Sequence, residues 1–427
     1  MQGHTGENTS LAGDLSDKHV LMLQGHPSAF WARLGDKLAA HGARVSKINF
    51  CLADKVFWGR RPARSYRGRF GLWPHWLADY VRTEKVTDIL YYADRFPYHV
   101  AAREVASEIG IGVWATEFGY LRPDWITFEA GGLGAHSTFD KSLEGLKQTA
   151  YGRIAPDMSP RFPHDFAVEA FNEVTFGILS VLGRPIFPFY RSDRLFWPVL
   201  DYLSWLPKLA TSTRANSAAQ ELQDRLAKDD SPYFFLPMQI ESDYQIRDNS
   251  PYVALEDFLN EVFASFERAA PRKVRLVIKL HPLDSGLENW PRRLRRIGRR
   301  WNLADRIDIA RGGDLGAFIG RSHGVILVNS TVGLHALRNG VPVHACGSAI
   351  YDVPGLTDQG DLDNFWRDPA SVDKEVLDVL LRALTKIQIK GSFFNPKGVD
   401  AAIDGIVATL AQEDSLSLGQ SASMPDQ

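Results

Sequence analysis

The chain has 427 residues, of which 44% are hydrophobic and 23% are charged, an ordinary balance for a globular protein. At about 100–200 residues per domain, this length predicts two domains. The formal net charge of -2 excludes a general nucleic-acid binder, which requires a basic excess. The two cysteines, Cys51 and Cys346, exclude a disulfide scaffold and are typical of buried thiols in a reducing compartment.

The amino-terminal residues 1–18 are polar, and we predict a disordered tail there. They lack the basic start and apolar run of a signal peptide. No stretch approaches the roughly 20 apolar residues that span a bilayer. We therefore expect a cytoplasmic protein that contacts membranes only at their surface.

A first block, 19–158, alternates short apolar runs with helical segments. Phe30, Leu34 and Leu38 recur at four-residue spacing, which places them on one face of a helix. Alternation of this kind predicts a parallel sheet covered on both faces. The predicted strands of this block are 19–24, 44–50, 88–93 and 112–117.

The middle segment, 159–231, is rich in proline and aromatic residues and then becomes polar, which predicts an insertion and an interdomain connection. A second alternating block covers 232–385. It is followed by a predicted helical region, 386–412, and by a predicted disordered tail, 413–427. The sequence therefore predicts an α/β fold class, with two Rossmann-like domains and an interdomain cleft. Ligands of open α/β sheets bind at the carboxyl ends of the strands, so the residues after each strand are the candidate sites.

Three such strand ends fall in the second block. Lys279 and His281 follow one apolar run. His281 either donates a hydrogen bond to a phosphate or assists proton transfer, or it is a structural loop histidine. Asn329, Ser330 and Thr331 lie between a strand and a helix, where hydroxyls and backbone N–H groups either bind an anion or only cap the helix.

The third strand end carries Gln239, Glu241 and Asp243. A carboxylate there is able to act as a nucleophile or base near an anomeric carbon, although two solvated loop acids are the ordinary alternative. In the first block, Glu117, Tyr120 and Arg122 follow a strand and offer a base beside an anion clamp, or else a surface acid–arginine pair.

The triplet 361–363 has the Asp-x-Asp pattern of some metal sites but follows no strong strand, so we assign no metal and no cofactor. Walker A, GxGxxG and Cys/His zinc patterns are absent from the sequence.

Together these segments resemble the capsule polysaccharide biosynthesis family of the KpsS/LipB type, which is related to bacterial β-Kdo transferases. The resemblance covers about residues 19–360, and the GYLRPDWIT and QIESD runs are its specific part. The segments that carry it are 23–25, 47–50, 119–127, 239–243, 281–282 and 333–343.

The resemblance implies a retaining GT-B enzyme that takes the acidic sugar Kdo from CMP-Kdo and transfers it to a phosphatidylglycerol-type lipid. It implies Asp243 as nucleophile, Glu117 as base and His281 in catalysis. It places Lys279, His281, Asn329, Ser330, Thr331 and Gln239 around the donor, and Arg122, Gln24 and Tyr120 around the acceptor or sugar. Relatives often carry a second acid where this chain has Phe118, which leaves Glu117 as the only carboxylate at that strand end.

The resemblance also implies a peripheral position at the inner face of the inner membrane. The implied partners are an anionic phospholipid acceptor, the membrane surface and other capsule assembly and export proteins. Arginines mixed with aromatics in 58–70, 187–205 and 291–301 are typical of contact with an anionic bilayer, or of solvated faces beside core aromatics. Two other functions remain open from the sequence: a nucleotide-sugar epimerase of GT-B architecture, and a non-catalytic capsule assembly or export adaptor.

Overall fold

The structure is a computed structural model that describes residues 14–163, 165–192, 198–229, 232–240, 250–284 and 286–421. The chain divides into two compact units. The first holds the described parts of Met1–Leu133, Met158–Asp193 and Ile387–Gln427. The second holds those of Gly134–Asp157 and Arg194–Lys386.

The first unit is built on a seven-stranded sheet with the order β12-β6-β5-β4-β1-β2-β3. Its interior strand β1 is buried at every residue and pairs in parallel with β2 on one side and β4 on the other. Strand order therefore reverses between β1 and β4, which makes their carboxyl ends a topological switch point. The strands are β1 His19–Met22, β2 Arg44–Asn49, β3 Arg64–Ser65, β4 Asp88–Tyr92, β5 Gly112–Phe118, β6 Trp125–Ala130 and β12 Gln388–Lys390.

One edge of this sheet departs from the predicted parallel arrangement. Strand β6 runs antiparallel to β5, and β12 runs antiparallel to β6. The short connection 119–124 allows β6 to turn back directly, whereas a parallel neighbour would need a long crossover. The first sheet is thus mixed, with its parallel part between β5 and β3.

Helices cover both faces of the first sheet, as the alternating sequence predicts. The helix predicted from the spacing of Phe30, Leu34 and Leu38 is present, and those side chains are buried. The helices of this unit are α1 Phe30–Ala40, α2 Leu52–Trp58, α3 Trp73–Glu84, α4 Pro97–Ile109, α6 Phe166–Leu182 and α14 Pro396–Ser421.

The second unit is built on a five-stranded parallel sheet with the order β11-β10-β7-β8-β9. Its central strand β7 is fully buried, and strand order reverses between β7 and β10. The strands are β7 Tyr233–Pro237, β8 Arg275–Lys279, β9 Ile307–Ala310, β10 Gly324–Leu327 and β11 Val343–Ala345. Each of these strands coincides with a short apolar run of the sequence, because buried parallel strands read as continuous apolar sequence.

The helices of the second unit pack on this sheet through apolar faces such as Phe258, Val262 and Phe266 of α8. They are α5 Leu143–Ala150, α7 Pro198–Lys228, α8 Leu255–Ala269, α9 Trp290–Arg300, α10 Leu315–Gly320, α11 Val332–Arg338, α12 Leu362–Phe365 and α13 Lys374–Leu384. None of the helices in the described part of the chain is both long and apolar enough to cross a membrane.

The segments between the two sheets are distributed differently from the predicted insertion at 159–231. Residues 134–157 belong to the second unit, where α5 packs on α13 and Arg382 donates to the Arg153 carbonyl at 3.3 Å. Helix α7 also belongs there, because Arg225 pairs with Asp308 of β9 at 2.6 Å. Residues 158–192 belong to the first unit.

Both ends of the chain are more ordered than the sequence indicates. Leu15, in the predicted tail, is fully buried, and its N–H donates to the carbonyl of His41 at 2.9 Å. Helix α14 continues to Ser421, past the predicted start of the tail at 413. A packed helix already provides the nucleus, so polar residues extend it at little cost.

Helix α14 returns to the first unit and packs on α1. Ile403 and Ile406 are buried in the same cluster as Leu34 and Leu38. At the rim, Lys37 pairs with Asp404 at 2.8 Å. Two Rossmann-like units with a final helix returned to the first are the architecture called GT-B, which confirms the predicted α/β class with two Rossmann-like domains.

We predict that Ile406→Ala lowers the free energy of unfolding of the first unit by about 2–5 kcal/mol, because it opens a cavity in a fully buried position. Lys37→Ala is the matched control, since an exposed ion pair contributes less than about 1 kcal/mol. Urea titration followed by circular dichroism measures both. Equal effects of the two substitutions would contradict the packing described for α14.

Candidate functional site

The switch point of the second sheet is closed by two amide side chains, one buried and one half-buried. Gln239 follows β7, and Asn329 follows β10. The Gln239 Nε2 donates to Asn329 Oδ1 at 3.0 Å, and the Asn329 backbone N–H donates to Gln239 Oε1 at 3.2 Å. This reciprocal pair joins the ends of the two strands between which ligands of such sheets bind.

Cationic groups lie beside this pair, at the end of β8. Lys279 is the last residue of the strand and is buried. Burial lowers the pKa of the Lys279 ammonium, and the negative charge of Asp314 opposes that shift. Bringing an anion close would favour the charged form of this lysine.

His281 follows two residues later and is oriented by its own turn. The backbone N–H of Leu283 donates to His281 Nδ1 at 3.1 Å. In the neutral imidazole the proton then resides on Nε2, which is the nitrogen able to donate to an anionic oxygen. The loop around His281 thus selects the tautomer that a phosphate-binding histidine needs.

A second lysine, which sequence reasoning missed, reaches the same turn from α7. The Lys208 ammonium donates to the carbonyl of Pro282 and, at 2.8 Å, to that of Asp284. Burial lowers the pKa of Lys208; the charge of Asp284 opposes this, and that of Lys279 adds to it. No local sequence pattern predicts this contact, because more than 70 residues separate the partners.

The start of α11 completes this edge. The Ser330 hydroxyl accepts from the Val332 N–H at 3.3 Å, so it has the capping role, whereas Thr331 makes no side-chain cap. The Tyr351 hydroxyl donates to the Ser330 carbonyl, and a Cβ on Gly333 would come within 2.2 Å of that hydroxyl oxygen. Glycine at 333 is therefore required for Tyr351 to hold the Ser330 turn.

The predicted nucleophile Asp243 and its neighbour Glu241 lie outside the described residues. The acidic triplet at 361–363 has structural partners. Asp361 caps α12 by accepting from the Asn364 N–H at 2.8 Å, and Asp363 pairs with Arg268 at 2.7 Å. Among the described residues, no group of three or more His, Cys, Asp or Glu side chains is arranged to hold a metal ion.

In the first unit, the end of β5 combines acidic and aromatic groups. Burial raises the pKa of Tyr92, and the charges of Glu117 and Glu173 raise it further. Burial also raises the pKa of Tyr120, and the charges of Glu129 and Glu117 add to that shift. Glu117 thus acts electrostatically on two buried phenols, while Glu173 of α6 brings a further carboxylate charge that the sequence did not predict.

Arg122 lies after the same strand, exposed, with its guanidinium 5.4 Å from the centre of the Phe118 ring. Phe118, at the position where relatives often have an acid, therefore supports Arg122 by a cation–π contact. Glu117, Tyr120 and Arg122 thus lie at the same end of β5.

Gln24 lies at the first sheet's switch point but is only 2% exposed. Its Nε2 donates to Asp54 Oδ1 at 3.0 Å and to the Tyr190 hydroxyl at 3.3 Å. Asp54 in turn accepts from the Phe50 N–H at 2.8 Å. Gln24 therefore orders the loops around β1, and its amide is engaged within the protein.

His26 also follows β1, inside a cage of aromatic rings. It stacks on Phe393 with centroids 4.6 Å apart and meets Tyr92, Phe118 and Phe394 edge to face. Burial lowers the pKa of His26 to about 3, and its Nδ1 has no hydrogen-bond partner in the described parts of the chain. His26 is thus held neutral at physiological pH.

This cage predicts an acid-sensitive first unit. Unfolding lets His26 bind a proton below about pH 6.5, whereas the folded protein resists protonation until about pH 3. The unfolded state binds more protons in that window, so stability is full above pH 6.5 and falls as the pH drops, by about 1.4 kcal/mol per pH unit for one histidine. His26→Phe should flatten this slope in urea titrations across pH. His75→Phe, at an exposed position, should leave it unchanged, and an unchanged slope in His26→Phe would contradict the analysis.

The chain is similar to proteins of capsule assembly. A family model described as "Capsule polysaccharide biosynthesis protein" matches residues 87–394. The "Capsule polysaccharide modification protein LipB" of Neisseria meningitidis serogroup A is 30% identical over 390 residues, which cover 89% of this chain and 92% of that protein. The "Capsule polysaccharide export protein KpsS" of Escherichia coli is 30% identical over 358 residues, 83% of this chain and 90% of that protein.

Among solved structures, the β-Kdo 2,7 transferase of Thermosulfurimonas dismutans KpsC aligns over 92% of this chain and 99% of that chain, with 15% identity and a TM-score of 0.46. The family model spans more than half of the sequence, and the curated relatives align over most of their own length. On that evidence the chain belongs to the capsule polysaccharide biosynthesis protein family.

Proposed function

We propose that this chain is a retaining glycosyltransferase of capsule assembly that transfers β-Kdo from CMP-Kdo to a phosphatidylglycerol-type lipid, which starts the linker for the polysaccharide. Family membership supports the role in capsule biosynthesis. The choice of donor and acceptor rests on the resemblance to β-Kdo transferases. The observation that carries the proposal is the cationic edge of the second sheet around Lys279, His281 and Lys208.

The chemistry of the donor matches this edge. CMP-Kdo carries a phosphate and a sugar carboxylate, so its site must supply cations or hydrogen-bond donors. Burial lowers the pKa of both Lys279 and Lys208, which means that each ammonium lies in surroundings that solvate charge poorly. An anion between them would relieve that cost for both. The Gln239–Asn329 pair and Ser330 lie at the same edge.

The proposed reaction proceeds by two displacements. A carboxylate oxygen of Asp243 attacks the anomeric carbon of Kdo, and CMP departs with the bonding electron pair. The acceptor hydroxyl then attacks the same carbon, its proton passes to Glu117, and Asp243 is released as a carboxylate. Two inversions retain the β configuration of the donor. This mechanism requires neither a metal nor an organic cofactor.

The acceptor side of the reaction uses the first unit. Burial raises the pKa of Tyr92 and Tyr120, and the negative charge of Glu117 raises both further, which places this carboxylate close to both phenols. Such a carboxylate is suited to accept the proton of a lipid hydroxyl. Arg122, exposed beside it, is suited to bind the phosphate of an anionic lipid headgroup.

We predict that His281→Ala combined with Lys208→Ala weakens CMP binding by at least about tenfold, because each removes a donor to phosphate. Isothermal calorimetry measures the affinity. Lys147→Ala, which changes an exposed lysine on α5, is the matched control. If the double variant binds CMP as tightly as the control, the donor site does not lie at this edge.

Asp243→Asn should abolish transfer while donor binding is largely kept, since the substitution preserves shape and removes the nucleophilic charge. Glu117→Gln should slow transfer and allow a protein adduct one Kdo heavier to accumulate, which intact mass spectrometry detects. Glu108→Gln, at an exposed position on α4, is the control. Normal turnover in Asp243→Asn would refute the mechanism, and an inverted product would refute retention. Release of altered sugar without a lipid product would favour an epimerase instead.

A further inference from the structure

Helix α6 presents an apolar face to solvent. Its exposed positions recur at helical spacing, and each is apolar. Phe171 is 70% exposed and Leu182 64%, values far above those of a packed helix face. The exposed apolar residues of this helix are Phe166, Val168, Phe171, Val174, Ile178 and Leu182.

The opposite side of α6 is fixed to α2, so rotation cannot bury the exposed face. Phe176 packs on Phe57 with ring centroids 6.1 Å apart. The Ser180 hydroxyl donates to Cys51 Sγ at 3.7 Å. A Cβ on Gly183 would lie 2.4 Å from that of Leu52, so the close approach requires glycine. The helix is therefore held with its apolar face outward.

Arginines and aromatic rings lie next to α6. The turn after the helix carries exposed Ile186 and Phe189, which continue the apolar face. The Arg69 guanidinium lies 5.5 Å from the centre of the Phe189 ring, and Arg67 lies 5.5 Å from that of Phe187. On the other side of the same cluster, Arg191 lies 5.1 Å from the Phe70 ring.

Only some arginines in this region are available to an external anion. Arg61 pairs with Asp36 at 2.5 Å, and Arg64 pairs with Glu84 at 3.1 Å, so both are compensated. Five others are exposed and have no carboxylate partner in the described part of the chain: Arg60, Arg67, Arg69, Arg184 and Arg191. The region thus combines a solvent-exposed apolar stripe with uncompensated positive charge.

We propose that the apolar face of α6, with these five arginines, seats the first unit on the surface of an anionic lipid bilayer. An amphipathic helix lying in the interface inserts its apolar side chains among the acyl chains, while arginines contact lipid phosphates. A second copy of this chain fits less well, because a two-fold interface would bring the same uncompensated arginines against one another. The proposal goes beyond the proposed function, since a membrane-seated protein need not be a transferase.

The arginine-rich helix α9 lacks the second half of this pattern. Its apolar residues Trp290, Leu294 and Ile297 are buried in the core of the second unit. Arg293 and Arg296 pair with Glu256 at 3.0 Å. Helix α9 is therefore charged but has no exposed apolar stripe, unlike α6. This difference makes α9 a control for purely electrostatic attraction to the bilayer.

The test compares full-length variants in sedimentation with lipid vesicles. Phe171→Ser, Ile178→Ser and Leu182→Ser together should reduce binding to vesicles of phosphatidylglycerol in phosphatidylcholine by about tenfold or more, at high salt as well as low. Arg60→Ser with Arg67→Ser should reduce binding chiefly at low salt, because salt screens that attraction. Pure phosphatidylcholine vesicles should bind the native protein weakly.

Two matched variants serve as controls. Tyr151→Ser with Ile154→Ser removes exposed apolar residues of the second unit, and Arg295→Ser with Arg299→Ser removes charge from α9; neither should change vesicle binding. An unchanged urea unfolding transition of the α6 variant, followed by circular dichroism, shows that its first unit remains folded.

Native vesicle binding by the α6 variant would overturn the proposal. So would loss of a native dimer in that variant, measured by light scattering without lipid. Failure of sugar transfer alongside intact vesicle binding would overturn the proposed function and leave this inference standing.

Discussion

The hydrogen bonds between Gln239 and Asn329 hold the edge on which the candidate donor site depends. Strand order reverses between β7 and β10, so no connecting segment joins the ends of these neighbouring strands directly. The buried amide of Gln239 makes that connection through the side chain and the backbone N–H of Asn329. Removing one partner would leave a buried amide unpaired, at a cost of about 1–3 kcal/mol, and would release the Ser330 turn from its neighbour.

The two units carry opposite electrostatic character at their strand ends. In the second, buried Lys279 and half-buried Lys208 have lowered pKa values because their surroundings disfavour charge, a condition that an anionic ligand relieves. In the first, carboxylates raise the pKa of Tyr92 and Tyr120. This division matches a reaction in which one unit binds an anionic donor and the other activates a hydroxyl group.

Much of this architecture could be predicted from sequence, because buried parallel strands and amphipathic helices leave periodic apolar patterns. The clustering of Glu117, Tyr120 and Arg122 followed from their place after β5. The roles of Gln24 and Lys208 did not, since their partners Asp54 and Asp284 are set by tertiary structure.

Helix α6 escaped prediction for a different physical reason. Its sequence is apolar on the exposed side as well as toward α2, so the usual alternation of apolar and polar residues that marks a surface helix is missing. In the structure, the same exposed apolar side distinguishes α6 from a helix whose outer face is polar. A helix that breaks the pattern of a water-facing surface is expected where another solvent meets the protein, as in the lipid contact that we propose for α6.

The most direct test of the central claim is incubation of the full-length protein with CMP-Kdo and a fluorescent phosphatidylglycerol, with products identified by mass spectrometry. The account predicts a lipid product heavier by one Kdo and a matching release of CMP. Consumption of CMP-Kdo without any change in the lipid, or no consumption while the lipid is bound, would contradict it.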